Sequence, residues 1–567
     1  MASLTPKVIK GKTYYYAREC RRVDGKPKIV RTVYLGSLDS IISAVEGSQE
    51  APRPHSVDIA SFGDVVALYD LAQSIGIVDI IDRHVPKRKQ GLSAGQYLLL
   101  AAINRAVHPT SKAKLADWYQ KTSLSRLLPA ARRQLSSQSF WNHMDFFQES
   151  HIEAVERDLS RRLVELFGIS LRMLTYDGTN FFTYINTKTP AKLPKRGHNK
   201  QKRGDLRQVN LGMLVSVDFH VPLFHKVYEG NVTDATIFKT ITEELRQRYV
   251  ELAKGCEHVT LVFDKGNNSK EAFETIHDSQ FHFVGSLVPT QHVDLLEVPL
   301  KKYCPLEGER LKDCLAYRTQ KVVFGQERKI VITYNENLLQ GQLQGLSANL
   351  NKTRERLDAI QKVLRRRQQG KVKGGKKPTV VSVKQQVRNA LSRQFMKTLF
   401  RWEVSEHAGA PALSYRTDSA ALARLVRTQL GKTILFTDND DWTDEEIILA
   451  YRAQHHIESA FRDMKNPHYL GWSPMNHWTD SKIRVHAFSC VLGLMLTSLL
   501  QRTLHQKGID VSMSRMYELL GDIRETLVVY PRKPGQHRHR TAASLSTLSD
   551  DQKRMVDALN LKRYSPA

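Results

Sequence analysis

The apolar residues in the first third of the chain follow two different periods. Residues 13–35, TYYYARECRRVDGKPKIVRTVYL, are rich in strand-forming residues on both sides of the turn VDGK, which predicts a small basic β-hairpin. From about residue 57 to 168 the apolar positions recur at helical spacing, as in AGQYLLLAAINRAV, with breaks at HPTS and LPAA. The pattern predicts an N-terminal β module at 1–56 and a helical domain at 57–168.

After residue 170 the pattern changes to short, strongly apolar strands. The run LRMLTYD ends at Asp177, and the run HVTLVFD ends at Asp264. Between them, RQVNLGMLVSV and VPLFHKVYEG flank a turn at 218–220, and residues 233–255 have a helical pattern with a threonine cap. This order of strand, hairpin, helix and strand predicts one mixed sheet within residues 169–299.

Residues 300–430 interrupt this sheet pattern. A coiled-coil-like helix is predicted there, because apolar positions alternate at spacings of four and three, with one threonine among them: Leu339, Leu343, Leu346, Leu350, Thr353, Leu357, Ile360 and Leu364. This helix ends in RRRQQGKVKGGKKP, and a second helical stretch at about 380–400 can fold back against it as a hairpin. The basic tip is either a solvated loop or a DNA contact, with Arg365, Arg366 and Arg367 as candidates. Trp402 is either buried or a platform on which an unpaired base stacks.

The sheet pattern returns at GKTILFTDND, and the last part of the chain is predicted to be helical. Thr443 and Glu446 have the spacing of a capping box at the start of a helix. The sequence thus predicts an α/β protein with a mixed sheet, an insertion domain at 300–430, a second core segment at 431–510 and a C-terminal helical tail at 511–567.

The net charge of the chain indicates the class of partner. The 567 residues include 85 Lys plus Arg and 58 Asp plus Glu, a net charge of +27, so a polyanion such as nucleic acid is the first partner to consider. The N-terminus lacks the apolar core of a signal peptide, and the apolar run Val485–Leu500 is shorter than the ~20 residues that cross a bilayer. We therefore expect a buried helix there, no membrane association and, since the five cysteines lack CxxC spacing, a cytoplasmic, nucleoid-associated protein.

Asp177 and Asp264 are the first candidates for chemistry. Each terminates an apolar run, which is where α/β sheets place ligands. Asp218, in the predicted hairpin turn, and Asp234, near a helix start, compete with them as metal ligands, although both positions have ordinary structural uses.

Glu458 is the third candidate. In a continuous helix from Thr443, steps of seven return almost to the same azimuth, so Tyr451, Glu458 and Lys465 share one face, with Gln454 close to that row. The alternative is that Glu458 pairs with Arg462 at an exposed surface, worth ~0.3 to 0.5 kcal/mol.

Three carboxylates that meet in space require cations. They repel by ~4 kcal/mol per pair at 4 Å and an effective dielectric constant of 20. Hard oxygen ligands favour Mg²⁺ or Mn²⁺, and two such ions ~3.5 to 4 Å apart can stabilise the attacking and leaving oxygens of phosphoryl transfer.

These motifs resemble the DDE transposases of bacterial insertion sequences, in particular insertion sequence family four and its subgroup sixteen thirty-four. The family signature is a tyrosine, an arginine three residues later, a glutamate four after that and a lysine seven further on. Tyr451, Glu458 and Lys465 match it, whereas Gln454 occupies the arginine position. The blocks YDGTNFF and FDKGNNS resemble the first and second aspartate blocks, and KRGHNKQKRGDLRQVNLGMLVSV, YEGNVTDATIF and VYLGSLD extend the likeness over most of the chain.

The resemblance implies an RNase H-like fold whose core is interrupted by an insertion domain after the second aspartate. It implies an enzyme that binds terminal inverted repeats in double-stranded DNA, cleaves at the ends and joins the freed 3′-OH ends to target DNA with two Mg²⁺ or Mn²⁺ ions. Paired ends imply a homodimer in the synaptic complex.

Site roles follow from the same resemblance. Asp177, Asp264 and Glu458 are the expected catalytic metal ligands, and Tyr451 and Lys465 are expected to contact phosphates. Gln454 stands at the arginine position of the family signature. Which residue makes the phosphate contact expected of that arginine therefore stays open, with Arg452 or His455 as the candidates. Further candidate DNA contacts are Arg462 and the basic loop after the first core strand, which is either disordered or a backbone clamp: Lys192, Lys195, Arg196, Lys200, Lys202, Arg203 and Arg207.

Two other functions are compatible with these motifs. One is a metal-dependent nuclease or resolvase on the same fold, which cleaves without joining ends. The other is a captured transposase that acts only as a DNA-binding protein.

Overall fold

The chain divides into two units. The computed structural model describes residues 2–566 apart from 24–25, 48–52, 90, 187, 200, 234–235, 239, 246–257, 278, 280, 373, 408 and 533–537. One unit comprises Met1–Gly63, Lys121–Ser123 and Leu519–Ala567, and the second comprises Asp64–Gln120 and Leu124–Glu518.

The structure contains the following strands and α-helices. The strands are β1 Ala2–Ile9, β2 Lys12–Val23, β3 Lys26–Gly36, β4 Ser56–Ser61, β5 Met173–Thr183, β6 Arg207–Ser216, β7 Pro222–Glu229, β8 Val259–Val262, β9 Phe281–Ser286, β10 Cys304–Pro305, β11 Cys314–Val323, β12 Gln326–Asn335, β13 Phe400–His407, β14 Ala410–Thr417, β15 Lys432–Thr437, β16 Arg524–Tyr530 and β17 Arg540–Leu545. The α-helices are Leu38–Gly47, Gly63–Ile75, Ile77–His84, Ala94–Val107, Leu115–Gln120, Leu124–Leu127, Ser137–Met144, Glu149–Phe167, Lys270–His277, Val293–Leu296, Glu336–Gln368, Val380–Ala390, Met396–Leu399, Ser419–Thr428, Asp444–Arg452, His455–Met464, Asp480–Gln506, Met513–Gly521 and Asp550–Ala558.

The smaller unit consists mainly of two antiparallel sheets. β1, β2 and β3 form one sheet, so the predicted pair of strands at 13–35 is present and gains β1 as a third strand. β4, β16 and β17 form the other. The prediction of a helical tail at 511–567 was therefore wrong in part. Its segment RETLVVY becomes β16, which pairs on both edges with β4 and β17.

The helical part of the larger unit packs around one apolar helix. Helix Asp480–Gln506 is long and apolar enough to span a membrane, but 94% of its most apolar stretch is buried inside the structure. Helix Ala94–Val107 lies against it so closely that a Cβ on Gly493 would meet the carbonyl oxygen of Ala102 at 3.0 Å. The predicted buried helix at Val485–Leu500 is confirmed.

The core of the larger unit is a nine-stranded mixed sheet with the order β10-β11-β12-β15-β9-β8-β5-β6-β7. β5, β6 and β7 are antiparallel neighbours, whereas β8 and β9 continue the sheet parallel to β5. The predicted turn at 218–220 joins β6 to β7. This arrangement of three antiparallel and two parallel strands agrees with the RNase H-like core that the resemblance implied. The helix predicted at 233–255 is described at 236–238 and 240–245, and its predicted end lies outside the described residues.

Both faces of the sheet are covered near its parallel strands. On one face, Val262 and Leu435 pack with Ile447 and Ile448 of helix Asp444–Arg452. On the opposite face, aromatic rings from helix Lys270–His277 and neighbouring strands form a cluster: Phe263, Phe273, Phe283, Phe324 and Phe436. Buried parallel strands of this kind have nearly continuous apolar sequences, as the runs before Asp177 and Asp264 do.

The predicted insertion at 300–430 begins inside the sheet. β10, β11 and β12 extend the sheet beyond β15, so residues 304–335 are part of the core rather than of a separate domain. β12 lies between β11 and β15, and its side chains Ile330 and Ile332 are fully buried in the core.

Residues 336–430 form a cluster of their own. The long helix Glu336–Gln368 buries five of its predicted apolar positions, namely Leu346, Leu350, Thr353, Leu357 and Leu364. Helix Val380–Ala390 folds back against it, as the hairpin prediction required, and the β13–β14 hairpin completes the cluster. The predicted second helix ends earlier than expected, at Ala390, and a separate short helix, Met396–Leu399, precedes β13. Trp402 is half-buried and packs against this cluster.

Leu357→Ala should destabilise this cluster by about 2 to 5 kcal/mol, because the fully buried side chain leaves a cavity among close-packed neighbours. The free energy of unfolding in urea, followed by circular dichroism, measures the effect. Val363→Ala on the same helix is the control, since Val363 is 52% exposed and its loss should change stability by less than about 0.5 kcal/mol. Equal effects of the two substitutions would contradict the packing described.

Candidate functional site

The parallel pairing of β5 with β8 places the two aspartates side by side. The register pairs Thr175 with Val262, and Asp177 and Asp264 each follow two residues later. Since side chains alternate along a strand, both carboxylates project to the sheet face of Thr175 and Val262, on strands ~4.8 Å apart. Met173 and Val262 pack on the apolar cluster under helix Asp444–Arg452, which identifies that face.

Asp177 does not end its strand, in contrast to the sequence interpretation. β5 continues to Thr183, with Asp177 opposite Met213 of β6. It is the pairing with β8 that stops before Asp177. The half-buried carboxylate accepts a hydrogen bond from the backbone N–H of Gly178 at 2.8 Å.

Asp264 caps a short 3₁₀ turn that follows β8. Its Oδ1 accepts from the backbone N–H of Lys265 at 2.8 Å and from Oγ of Ser286 at 3.3 Å. The hydroxyl of Tyr451 lies 3.2 Å from the same oxygen and 2.8 Å from Oγ of Ser286. Burial, followed by the charge of Asp264, raises the pKa of Tyr451, so its hydroxyl remains a neutral donor at physiological pH.

The helix that begins after Thr443 is not continuous, so this part of the sequence prediction was wrong. The capping box with Glu446 is present, but the helix ends at Arg452 and a second helix, His455–Met464, follows. A ring nitrogen of His455 lies 2.6 Å from the Arg452 carbonyl oxygen, which the N–H of His456 would use in a continuous helix. That N–H bonds instead to the Ala453 carbonyl at 3.0 Å. Gln454 lies buried in this break.

Glu458 nevertheless faces the same cavity as Asp264. A cavity of about 410 Å³ is lined by Asp264, Tyr451, Gln454 and Glu458, together with Arg452 and His455. The charge of Glu458 also contributes to the raised pKa of Tyr451. Within the described residues, no three His, Cys, Asp or Glu side chains are gathered closely enough to form a ready metal-binding cluster. The structure thus brings Asp264 and Glu458 to one cavity and sets Asp177 beside Asp264.

Lys465 lies on the Asp177 side of the site. Its Nζ donates to Oγ1 of Thr179 at 2.6 Å and sits 5.3 Å from the ring centre of Phe181. Thr179 and Phe181 follow Asp177 at alternate positions of β5, so they share its face of the sheet. Arg462 is exposed and donates to Ser459, and no ion pair between Arg462 and Glu458 occurs among the described residues.

The comparison with protein families covers the part of the chain that carries this site. The family described as "Transposase DDE domain" matches residues 177–496, which is more than half of the chain. The chain belongs to this DDE transposase family. The match begins at Asp177 and includes Asp264, Tyr451, Glu458 and Lys465. The comparison with curated proteins finds no significant match. Among solved structures, a cryo-EM structure of the piggyBac transposase synaptic complex with hairpin DNA aligns over 82% of this chain and 82% of that chain, with 8% identity and a TM-score of 0.37.

The basic loop of the DDE domain is ordered by backbone and amide contacts. Lys195 and Gln208 form a two-residue bridge, and the Gln208 side chain donates to the carbonyls of His198 and Gly230 at 3.0 and 2.8 Å. Asn199 bonds to the backbone of Arg203 through both its amide nitrogen and its oxygen. Lys195, Arg196, Lys202 and Arg203 are exposed and Arg207 is half-buried, whereas Lys200 lies outside the described residues.

The remaining candidates lie elsewhere in the DDE domain. Arg365, Arg366 and Arg367 are in the last turn of the long helix and do not line the cavity beside Asp264. Asp218 occupies the β6–β7 turn, where it pairs with Nε of Arg502 at 2.9 Å, and Asp234 lies outside the described residues.

Sequence reasoning missed Ser286, Asn199 and Gln208. Ser286 ends β9 next to the end of β8, so the rule that selected Asp264 also selects Ser286 once β9 is recognised as its parallel neighbour. No periodic signal marks Asn199 or Gln208, since both act through loop contacts.

Gly197→Ala should loosen the basic loop, because a Cβ at residue 197 would lie 1.9 Å from the Gly230 carbonyl oxygen. An overlap that costs about 1 to 3 kcal/mol should raise the rate of tryptic cleavage within 192–207 roughly tenfold. Mass spectrometry of timed digests measures it. Gly204→Ala is the matched control, since a Cβ at residue 204 would meet none of the described atoms within 4 Å. Equal digestion of both variants would show that the loop is not held at Gly197.

Proposed function

We propose that this chain is the transposase of a bacterial insertion sequence of family four, subgroup sixteen thirty-four. It binds the terminal inverted repeats, cleaves phosphodiester bonds at the ends and transfers the 3′-OH ends to target DNA. The observation that carries the proposal is the juxtaposition of Asp177 and Asp264 by the β5–β8 register, with Glu458 facing the Asp264 cavity, in a chain of the DDE family.

The donor atoms at the site fit hard divalent cations. All three acidic side chains offer oxygen, and the described hydrogen bonds of Asp264 go to Oδ1, which leaves Oδ2 as a ligand. Two Mg²⁺ or Mn²⁺ ions held by Asp177, Asp264 and Glu458 would stabilise the charge on the attacking and leaving oxygens.

The surrounding side chains orient the acids and the DNA. Tyr451 fixes Oδ1 of Asp264 through a neutral hydroxyl. Lys465 places an ammonium group on the Asp177 face, where it can neutralise a phosphate. Gln454 contributes a neutral amide to the same cavity. The positive charge that the signature arginine carries in the family is supplied in this chain by Arg452, which also lines the cavity.

The reaction consists of two in-line displacements at phosphorus. In the first, water attacks, and the bond to the 3′ oxygen breaks to leave a free 3′-OH. In the second, that hydroxyl attacks a target phosphate, and a target 3′ oxygen leaves. No covalent protein intermediate is required. Two protomers would bring the two ends together in the synaptic complex.

Asp177→Asn, Asp264→Asn and Glu458→Gln should each reduce cleavage and joining by about 10³-fold or more, because several kcal/mol of charge stabilisation is lost. Binding to terminal repeats should remain. The assay combines terminal-repeat DNA, Mg²⁺ or Mn²⁺ and a supercoiled target, and chelation by EDTA should stop both steps. Asp218→Asn is the matched control, since Asp218 pairs with Arg502 in the hairpin turn.

The products separate the competing functions. Joined molecules identify a transposase, nicks without joining identify a nuclease, and retention without cleavage identifies a DNA-binding protein. A single variant that keeps full activity removes that residue from the site.

Binding to terminal-repeat DNA should weaken by about 10³-fold or more between 50 and 200 mM salt if the basic loop and its neighbours contact six or more phosphates. Electrophoretic mobility or fluorescence anisotropy measures it. Replacing Lys195 and Arg196 by glutamine should reduce the slope of log K against log salt by ~0.9 for each phosphate that is no longer neutralised. A flat salt response would contradict the clamp.

A further inference from the structure

A second cavity, of about 290 Å³, lies among helices of the larger unit and is lined by cationic and hydroxyl-bearing side chains. Its charged lining residues are Arg105, Lys112 and Lys482, and His477 and His486 add two imidazoles. Within the described part of the chain, no aspartate or glutamate lines it. A concave surface with this composition attracts an anion.

Lys112 is the decisive residue of this cavity. Its side chain is only 6% exposed, and its Nζ has no hydrogen-bond partner among the described residues. The Nζ lies 5.0 Å from the ring centre of Phe140, which gives the ammonium a cation–π contact. A buried ammonium without a partner costs several kcal/mol, and a bound anion removes that cost.

Arg105 supplies a second buried cation next to Lys112. It is 1% exposed, and its Nη1 donates to the carbonyls of Gly471 and Ser473 at 3.1 and 3.2 Å, while its Nε has no partner among the described residues. The two carbonyls hold the guanidinium in place. Its charge also contributes, after burial, to lowering the pKa of Lys112 to about 7.

The neighbouring titratable groups do not neutralise these cations. Burial is the main reason that the pKa of His477 falls to about 3, so its imidazole is neutral at physiological pH. Burial likewise lowers the pKa of His486 and raises that of the Cys490 thiol to about 11. The charges that face Lys112 are therefore those of Arg105 and Lys482, both positive.

The mouth of the cavity adjoins the basic loop. Trp478, which lines the cavity, is 62% exposed, and Oγ1 of Thr189 donates to its carbonyl at 2.6 Å. The carboxylate of Asp480 accepts from the backbone N–H groups of Lys192 and Leu193 at 2.9 Å each. These contacts fix the start of the basic loop beside helix Asp480–Gln506 and next to Trp478 of the cavity.

An aromatic stack links this cavity to the strand of Asp177. The ring centre of Trp472 lies 4.0 Å from the ring centre of Phe181 on β5 and 5.3 Å from the ring centre of His486. The backbone carbonyl of Trp472 lies 2.7 Å from Nε2 of His486. A group bound in the cavity is therefore held in a fixed relation to β5.

We propose that this cavity binds a phosphate group of the DNA, through Lys112 and Arg105, as a second anchor apart from the phosphate that reacts at the acidic residues. The inference rests on the proposed function for the identity of the polyanion. The cavity itself requires only a phosphate, so free inorganic phosphate is the competing source.

The test compares Lys112→Met with Lys114→Met in the full-length chain. Both substitutions remove one positive charge from the same 3₁₀ turn, but Lys114 is exposed. Inorganic phosphate, titrated by calorimetry, should bind the wild type and the Lys114 variant and should bind the Lys112 variant at least about tenfold more weakly. With terminal-repeat DNA, the slope of log K against log salt should fall by ~0.9 for the Lys112 variant alone.

The protonation state of Lys112 gives a further readout. A group whose pKa is lowered to about 7 in the free protein must gain its proton before it can bind an anion. DNA affinity should therefore fall as pH rises from 6 to 8, and Lys112→Met should lose that part of the pH dependence. Arg105, Lys482, His477, His486 and Cys490 are the other groups that face Lys112, and they remain in the variant.

Each outcome decides the inference. Weaker phosphate binding together with a lower DNA salt slope supports a DNA phosphate site. Weaker phosphate binding with an unchanged DNA slope assigns the cavity to free phosphate and overturns the DNA part, and no binding of phosphate to the wild type overturns the site. Lys482→Met repeats the test if the Lys112 variant does not fold. Since none of these measurements needs cleavage, an inactive but phosphate-binding protein would refute the proposed function and leave the cavity standing.

Discussion

The parallel pairing of β5 with β8 is the constraint on which the site depends. It holds two strands that are 75 or more residues apart in sequence at the spacing of a sheet, and its register sets Asp177 level with Asp264. The pairing of β5 with β8 also ends at Thr175, two residues before Asp177. Beyond Thr175, β5 pairs with β6 but with no other strand among the described residues, so the edge that faces β8 opens and helix His455–Met464 packs against β5.

The sequence selected the candidate acids by a rule about burial. Strands enclosed on both faces have continuous apolar sequences, so the first acidic residue after such a run marks the point where the chain leaves the core. Asp177 and Asp264 were selected in this way. Asp264 does follow the end of β8, whereas β5 continues through Asp177 to Thr183. The heptad positions of the long helix could also be predicted from the sequence, because a helix that packs along its length repeats its apolar residues at a fixed period.

The rest of the site depends on contacts that periodicity does not encode. At the break between the helices that carry Tyr451 and Glu458, the ring of His455 contacts the backbone carbonyl oxygen of Arg452. Tyr451 still reaches the site, because its position is fixed by the ends of β8 and β9 rather than by a shared helix face. The same limit explains why β10 to β12 were assigned to the insertion, since the pairing of β12 with β15, which joins them to the sheet, connects residues about 100 positions apart.

The connection between the sheet and the cluster at 336–430 has a consequence for how such chains can diverge. The chain leaves the sheet at the end of β12 and returns at the start of β15, and these strands are antiparallel neighbours with Tyr334 opposite Lys432. The two crossing points are therefore one strand spacing apart, as in an ordinary hairpin. The 96 residues between these strands (336–431) and a short reverse turn would therefore leave the two strand ends at the same spacing. Lineages could therefore enlarge, shrink or exchange this appendage while the catalytic scaffold stays unaltered.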